Sequence, residues 1–310
     1  MRRLTLKHLE TIVAVAKSGT IAAAADNLRV TAAALTSRIK LLEDEAGVAL
    51  FDRAGGRLHL TGAGQDVVNA AMRIDLAMAE LKTTLSAHRD MHAGRVTIGV
   101  VSTAKYFAPR LIAAFARQNP RIEISISVGN RATIIAALRD YAIDVALMGR
   151  PPSDFPVVSE SVGPHPQVVI APPDHIMAKR VGINKTELGL ESFIIREEGS
   201  GTRNVFDYFF DGVVIHAPRV HVEIGSNETI KQAVMAGLGL TLISAHTIEA
   251  EVSDGRLAIL DVIGLPIMRQ WFAVHHGNRM LSPAARTMWN FVVAEGRSFL
   301  PKIALPGEPR

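Results

Sequence analysis

Five short polar segments of this 310-residue chain combine glycine, hydroxyl side chains and basic residues in the manner of anion-binding loops. They are Ser102-Thr103-Ala104-Lys105-Tyr106, Gly129-Asn130-Arg131, Gly149-Arg150-Pro151-Pro152, Gly199-Ser200-Gly201-Thr202-Arg203 and Gly225-Ser226-Asn227-Glu228-Thr229. Glycine lets a backbone N–H approach a phosphate or carboxylate closely, a hydroxyl adds a donor, and a guanidinium adds charge with two parallel donors. The candidate ligand contacts are Ser102, Thr103, Lys105, Tyr106, Gly129, Asn130, Arg131, Gly149, Arg150, Ser200, Gly201, Thr202, Arg203, Asn227, Glu228 and Thr229. Each segment alone is also an ordinary strand-to-helix junction. Convergence of the five on one cleft is what makes a site.

Other chemistries fit less well. His165, His175 and the pair His275-His276 have no companion ligand at a metalloprotease-like helical spacing, which leaves them as solvated or core histidines. Gly199-Ser200-Gly201 lacks the frame of a hydrolase nucleophile elbow, and the lysine of a nucleotide-hydrolysing phosphate loop is absent. With no cysteine, disulfides, thiolate zinc and thiol redox sensing are excluded. The expectation is a ligand-binding protein with no metal, no cofactor and no catalysis.

A second set of residues suits nucleic acid. Thr31, Ala32, Ala33, Thr36, Ser37, Arg38 and Lys40 form one outward face of a helix whose other face carries Leu35, Ile39 and Leu42. Small and hydroxyl residues at the start admit close approach to base edges, and basic residues behind them reach phosphates. Arg53 and Arg57 flank Gly55-Gly56, a turn whose arginines suit a phosphate or the minor groove. Between Arg2 and Arg57 nine basic residues face six acidic ones, which include the cluster Glu43-Asp44-Glu45. The whole chain carries a net charge of +4, compatible with an anionic partner.

The elements that position these residues follow from the pattern. Leu6–Lys17 reads as a first helix, Thr20 and Thr31 as caps of two alanine-rich helices, and Phe51–Thr61 as a hairpin. Together they are the parts of a winged helix-turn-helix over residues 1–61; the plain alternatives are an alanine-rich helical hairpin and a surface turn. Residues 62–92 form a long helix in which Val67, Ala71, Ile74, Met78, Leu81 and Leu85 alternate in steps of four and three. That is a heptad seam for dimerisation, or else a face packed on the chain's own domain.

After Met91-His92-Ala93-Gly94 apolar runs alternate with helical stretches, an α/β pattern with a mainly parallel sheet. Strands are expected at 96–100, 122–128, 145–148, 168–171, 193–196, 220–224 and 240–244, with helices starting near Lys105, Arg131, Thr202 and Glu228. Gly163-Pro164 and Gly264-Leu265-Pro266 are expected crossings between two lobes, residues 93–163 with 266–300 and residues 164–265. Phe206, Phe209 and Phe210 belong to the core. No run of about 18 uncharged apolar residues and no signal-like N-terminus is present, so the expected location is cytoplasmic, away from membranes.

The order winged helix-turn-helix, long helix and two-lobed α/β domain of periplasmic-binding-protein type resembles the LysR-type transcriptional regulators across almost the whole chain. The strings VVSTAKYFAP (100–109), GNR (129–131), MGRPP (148–152), GSGTR (199–203), GSNETIKQAVMAGLGLTLISAHT (225–247) and GLPIMRQWF (264–272) resemble the branch that regulates Calvin-cycle carbon-fixation operons. The resemblance implies a homodimer or tetramer that binds double-stranded DNA at an inverted repeat of the T-N11-A kind, works with RNA polymerase and activates transcription. It also implies an anionic effector of the ribulose bisphosphate, phosphoglycolate, phosphoenolpyruvate or NADPH class. The alternatives are a LysR-type regulator of another pathway, a periplasmic-type binding protein with no DNA role, and an anion-metabolising enzyme. One departure stands out. The family's recognition helix usually opens Ser-Gln-Pro-Ala, whereas this chain has Thr31-Ala32-Ala33-Ala34, keeping the cap and losing the glutamine that can pair with adenine.

Overall fold

The computed structural model describes residues 5–54, 57–87, 94–212 and 222–306. The chain divides into two compact units, Met1–Leu85 and Ser86–Arg310.

The first unit contains α1 (Leu6–Ser18), α2 (Ile21–Leu28), α3 (Ala32–Ala46), β1 (Phe51–Ala54), β2 (Arg57–Leu60) and α4 (Gly62–Ala87), the last continuing past the unit's end. The Thr20 hydroxyl accepts from Ala23 N at 3.3 Å and Thr31 from Ala34 N at 3.2 Å, so both expected caps are made. Such caps stabilise a helix start by about 1 kcal/mol. Between them Arg29 adopts a left-handed φ of 53° and turns the chain. Ala24 and Ala25 let α2 sit tightly against Ile12, Val15, Leu35, Ile39 and Leu42 in one small core. The wing strands pair antiparallel from Phe51↔Leu60 to Ala54↔Arg57. Glu43 fixes them to α3, its carboxylate accepting from Leu50 N at 2.8 Å and Phe51 N at 3.3 Å. One member of the acidic cluster is therefore a structural acceptor. The expected tip, Gly55-Gly56, lies outside the described residues, as do Arg2 and Arg3.

Thr61 joins the wing to α4. Its hydroxyl donates to Ala49 O at 2.8 Å and accepts from Gly64 N at 3.0 Å. Gly64 is glycine by necessity, since a Cβ there would stand 2.0 Å from Leu50 O. Along α4, half-buried Val67 packs on the head's own core and Ala71 is buried, whereas Ile74, Met78 and Leu81 are 39, 39 and 50% exposed. The side chain of Leu85, the last seam position, lies outside the described residues, as does the linker Met91-His92-Ala93.

The second unit runs β3 (Gly94–Val101), α5 (Ala108–Gln118), β4 (Ile122–Gly129), α6 (Arg131–Arg139), β5 (Val145–Met148), β6 (Val157–Ala171), α7 (Lys185–Leu188), β7 (Ile194–Arg196), α8 (Gly201–Phe209), β8 (Val222–Ile224), α9 (Asn227–Met235), β9 (Thr241–Ser244), α10 (Glu249–Ser253), β10 (Ala258–Ile259), β11 (Ile267–His276) and α11 (Pro283–Glu295). The expected strand start at Val220 lies outside the described residues.

The sheet corrects the mainly parallel expectation. Parallel pairing joins β3 to β4 and β5, and β7 to β8, while β6 pairs antiparallel with β11, β9 and β10, and β11 with β5. The cause is a long two-stranded ribbon. Strand β6 runs unbroken through Gly163 and Pro164, and β11 lies beside it from Ile267↔Gln167 to His276↔Val157. Pro164 and Pro166 are tolerated because β6 has only one neighbour there; β9 joins from Gln167 onward.

Two sets of apolar residues form separate cores. Val96, Ile98, Phe107, Leu111, Ile134, Leu147, Trp271 and Met288 build the first. In the second, β6 buries both faces: Val169 and Ala171 pack with Phe193, Phe206, Phe209 and Phe210, and Val168 and Ile170 with Ile230 and Ile243. Val162 belongs to the first core and Val168 to the second, while Ile267 packs on the second and Trp271 in the first. The chain thus crosses between cores inside β6 and β11, where a register shift at Trp271/Phe272 marks a bulge. Among the described residues no helix is long and apolar enough to cross a membrane.

Candidate functional site

The crossing strands floor a cleft between the two cores. A chamber of about 30 Å³ is lined by Ser102, Thr103, Arg131, Gly149, Arg150, His165, Gln167, Arg196, Ser200, Gly201, Thr202 and Arg269. A cavity of about 540 Å³ shares Arg131, Arg150, Gly201 and Arg269 with it and adds Ser153, Asn204, Val205, Tyr208 and Ile267. Local structure explains the convergence. Ser102 and Thr103 follow the carboxyl end of β3, Gly149 and Arg150 follow β5, Arg131 opens α6, and Ser200 caps α8 by accepting from Thr202 N at 3.2 Å. Strand carboxyl ends and helix N-termini are where α/β sheets present unpaired N–H groups to anions. Gly199 brings two of these loops together: its φ of 82° is left-handed, and its carbonyl accepts from Ala132 N at 3.1 Å.

The charge is one-sided. No carboxylate lines either space among the described residues. Burial, then the neighbouring Arg150, lowers the pKa of Arg131; burial, then Arg150 and Arg131, lowers that of Arg269. These guanidiniums repel one another, and an anion between them relieves both the repulsion and their lost hydration. Asp154 favours the charged form of Arg131 but is itself engaged by Arg139.

Half of the expected contacts line the cleft: Ser102, Thr103, Arg131, Gly149, Arg150, Ser200, Gly201 and Thr202. The others are engaged elsewhere. Asn130 caps α6, its Oδ1 accepting from Thr133 N at 3.0 Å, and its amide donates to Glu197 Oε1 at 3.3 Å. Gly129 ends β4, where its carbonyl accepts from Ser102 N at 2.7 Å. Arg203 faces away from the cleft, bonded to Asp207 at 3.0 Å, Glu223 at 3.3 Å and the Arg196 carbonyl at 3.1 Å. Thr229 lies in the first turn of α9, its N–H donating to the cap Ser226 at 3.4 Å.

Lys105, Tyr106 and Glu228 bind one another instead of a ligand. The Tyr106 hydroxyl donates to Glu228 Oε2 at 2.8 Å, and Lys105 Nζ stands 3.5 Å from Glu228 Oε1. Buried Lys231 lies 3.0 Å from Glu228 and 2.8 Å from Glu251. Burial raises the Tyr106 pKa, and Glu228 adds to the rise; at Glu228 burial acts upward, but Tyr106 and Lys231 bring the net shift below the ordinary carboxylate value.

Several residues of the site were not expected. Arg196, 2% exposed, donates to both Glu197 oxygens at 2.7 and 2.9 Å, to Ser102 Oγ at 3.1 Å and to Asn227 Oδ1. It ties three of the loops together, and Asn227 serves it from behind the chamber. The available signal was a charge ending the apolar run Phe193-Ile194-Ile195. Arg269, His165 and Gln167 come from the two crossing strands, whose extent the local pattern did not reveal. His165 stacks on Trp271 with ring centroids 3.7 Å apart and shares a hydrogen bond of 3.0 Å with Ser244 Oγ. Burial, aided by His246 and Arg269, holds it well below the ordinary histidine pKa. His246 accepts from Trp271 Nε1 at 3.0 Å, and burial lowers it to about 4. His175 stands 3.6 Å from Glu191.

In the first unit the candidate DNA face holds together. Thr31, Ala32, Ala33, Thr36, Ser37 and Lys40 are exposed and Arg38 is half-buried, opposite buried Leu35, Ile39 and Leu42. Thr36 donates to Ala32 O at 2.9 Å. Arg53 and Arg57 sit in β1 and β2, but their side chains lie outside the described residues.

Comparison with known proteins follows the same division. Residues 6–65 match the family described as bacterial regulatory helix-turn-helix protein, lysR family, and residues 89–297 match the LysR substrate binding domain. The chain is 48% identical over 306 residues to the HTH-type transcriptional regulator CbbR of Rhizobium meliloti (strain 1021), covering 99% of this chain and 98% of the relative. It is 39% identical over 294 residues to the RuBisCO operon transcriptional regulator of Allochromatium vinosum, covering 94 and 96%. Among solved structures, the CcmR regulatory domain of Synechocystis PCC6803 in complex with 2-PG superposes with a TM-score of 0.62 at 36% identity, covering 65% of this chain and 96% of that one.

Proposed function

The chain belongs to the LysR family of bacterial transcriptional regulators, and we propose that it activates a RuBisCO-type carbon-fixation operon when an anionic metabolite occupies the cleft floored by β6 and β11. The observation that carries this reading is the cluster of Arg131, Arg150 and Arg269 around a space with no carboxylate in its lining among the described residues. Phosphorylated or carboxylated effectors of the ribulose bisphosphate, phosphoglycolate, phosphoenolpyruvate or NADPH class suit it. The related CcmR domain, solved with 2-PG, supports the phosphoglycolate end of that class.

The working parts are a DNA-reading head over residues 1–61, a dimerisation helix over 62–92 and an effector domain over 93–310. The head reads an inverted repeat in double-stranded DNA through the exposed face of α3, and RNA polymerase is its further partner. Two copies associate, as a dimer or within a tetramer. The apolar side chains Ile74, Met78 and Leu81, exposed on α4, and the groove lined by Leu6, Leu9, Leu42, Leu50 and Val67 supply the surface. The reading places the protein in the cytoplasm.

The test couples two measurements on the full chain. Calorimetric titration with the effector panel is expected to give saturable binding, and the same compounds are expected to alter mobility-shift patterns on the upstream region of the fixation operon. Binding of none of the anions overturns the effector class. Failure to shift that DNA overturns the target.

A further inference from the structure

The start of α3 carries no side chain that can pair with a base through two hydrogen bonds. Residues 31–37 read Thr-Ala-Ala-Ala-Leu-Thr-Ser, without an amide, a carboxylate, an ammonium or a guanidinium, and the basic residues begin at Arg38. Thr31, Ala32, Ala33, Thr36 and Ser37 are exposed, whereas Leu35 is buried. The hydroxyls among them discriminate little. Thr36 spends its proton on Ala32 O at 2.9 Å, which leaves it an acceptor and a methyl group. Thr31, whose oxygen accepts from Ala34 N at 3.2 Å, and Ser37 carry hydroxyls that serve any base. What remains beyond the cap is a set of methyl groups, on Ala32, Ala33 and Thr36.

A recognition helix sets its N-terminal residues against base edges in the major groove. There the one feature that an apolar group reads is the C5-methyl group of thymine. We infer that α3 selects thymine by contact of that methyl group with Ala32, Ala33 and Thr36, rather than by paired hydrogen bonds to any base. Small side chains suit this task, since they let the helix come within the short range over which methyl groups attract. Each contact is worth less than a paired hydrogen bond, so the preference is graded and spread over neighbouring positions. The basic residues Arg38 and Lys40 supply attraction to phosphates that is common to all sequences. The inference rests on the reading of α3 as the DNA-facing helix.

The experiment is mobility-shift titration of the full chain with duplexes from the region upstream of the fixation operon. Thymidines in the footprinted sequence are replaced one at a time by deoxyuridine, which removes the methyl group and keeps every hydrogen-bonding atom. Replacement is expected to weaken binding about four-fold at one or two positions of each half-site, the worth of one buried methyl group, and by less than about two-fold elsewhere. At those positions a G·C pair is expected to bind weakly and the same pair with 5-methylcytosine to regain about four-fold. Thr36→Ser, which keeps the bond to Ala32 O, is expected to bring the thymidine-to-deoxyuridine ratio at one of these positions below about two-fold with Tm unchanged. Ala33→Gly is expected to do so at a neighbouring position. Equal binding of all thymidine and deoxyuridine duplexes overturns the inference alone, as does a ratio that survives both substitutions or a 5-methyl group that restores nothing. Failure to bind the thymidine duplex itself overturns the DNA reading and this inference with it.

Discussion

Tyr106 and Glu228 form a hydrogen bond of 2.8 Å that joins the turn after β3 to the start of α9, one residue attached to each core of the effector domain. Lys105 and buried Lys231 hold the same carboxylate. Together they make a strap between the two cores.

Removing the strap should weaken the ligand-bound arrangement without touching the cleft lining. Tyr106→Phe is expected to reduce effector affinity about five-fold, the effect of roughly 1 kcal/mol for a half-exposed, charge-assisted hydrogen bond. Basal operator affinity is expected to stay constant. Calorimetry and mobility shift on the same preparation check both halves, and an unchanged effector affinity would show that the strap is passive.

The arginines divide into those that face the ligand and those that brace the fold. Arg150→Met and Arg269→Met are each expected to weaken anion binding ten-fold or more, roughly the worth of a charged hydrogen bond, and to flatten its salt dependence. Arg203→Ala should leave effector affinity within about two-fold while lowering stability by no more than about 1 kcal/mol, because its bonds go to Asp207, Glu223 and the Arg196 carbonyl. Titration alongside thermal unfolding separates the two groups.

On the DNA side, Arg38→Ala is expected to abolish operator binding with the dimer intact, as seen by mobility shift and sedimentation. With Ala32 and Ala33 where the family resemblance implies glutamine and proline, operator selection from a random library is expected to show relaxed preference at one half-site base. Loss of one good base pair contact corresponds to roughly 1–3 kcal/mol of discrimination. A preference as sharp as that of glutamine-bearing relatives would refute the point.

Dimerisation through α4 predicts that Leu81→Lys, placed at an exposed seam position, yields monomers at micromolar concentration with an unchanged circular dichroism spectrum. A dimer that persists would move the interface elsewhere.

Burial of two neutral histidines makes stability depend on acid. The pKa of His246 is about 4 in the fold, and that of His165 is likewise depressed; both return to about 6.5 when the chain unfolds. The unfolded state therefore binds more protons below pH 6.5. Their contribution is complete above that value and is lost as pH falls toward 4. For His246 alone the loss at pH 5 is about 2 kcal/mol. Urea unfolding at pH 7.5 and pH 5 measures it, and His246→Gln, which keeps an acceptor for Trp271, is expected to flatten the slope.

Much of this architecture was legible because its signals are local. Thr20 and Thr31 announce their helices by cap chemistry, the apolar face of α3 follows from spacing, and the loops after β3 and β5 are readable as strand ends followed by polar helix starts. The ribbon of β6 and β11 was not. Gly163 and Pro164 read as a crossing between lobes, and only pairing between residues more than a hundred positions apart shows that they lie on a one-sided edge of a continuous strand. His165, Gln167 and Arg269 were missed with it. Arg203, Lys105 and Glu228 were over-read for the converse reason: sequence gives their charge but not the partners that already satisfy it.

The bonds of Thr61 give the long helix a mechanical meaning. With its hydroxyl holding Ala49 on one side and Gly64 on the other, α4 cannot swivel freely on the wing. The helix and the head turn as one stiff arm. At about 1.5 Å per residue its 26 residues span about 39 Å, so a tilt of about 5° imposed at the far end carries the fingertip of the arm roughly 3 Å along a groove. On the proposed reading of α3 as the DNA-facing helix, a displacement of that size is comparable with the step of about 3.4 Å between successive base pairs.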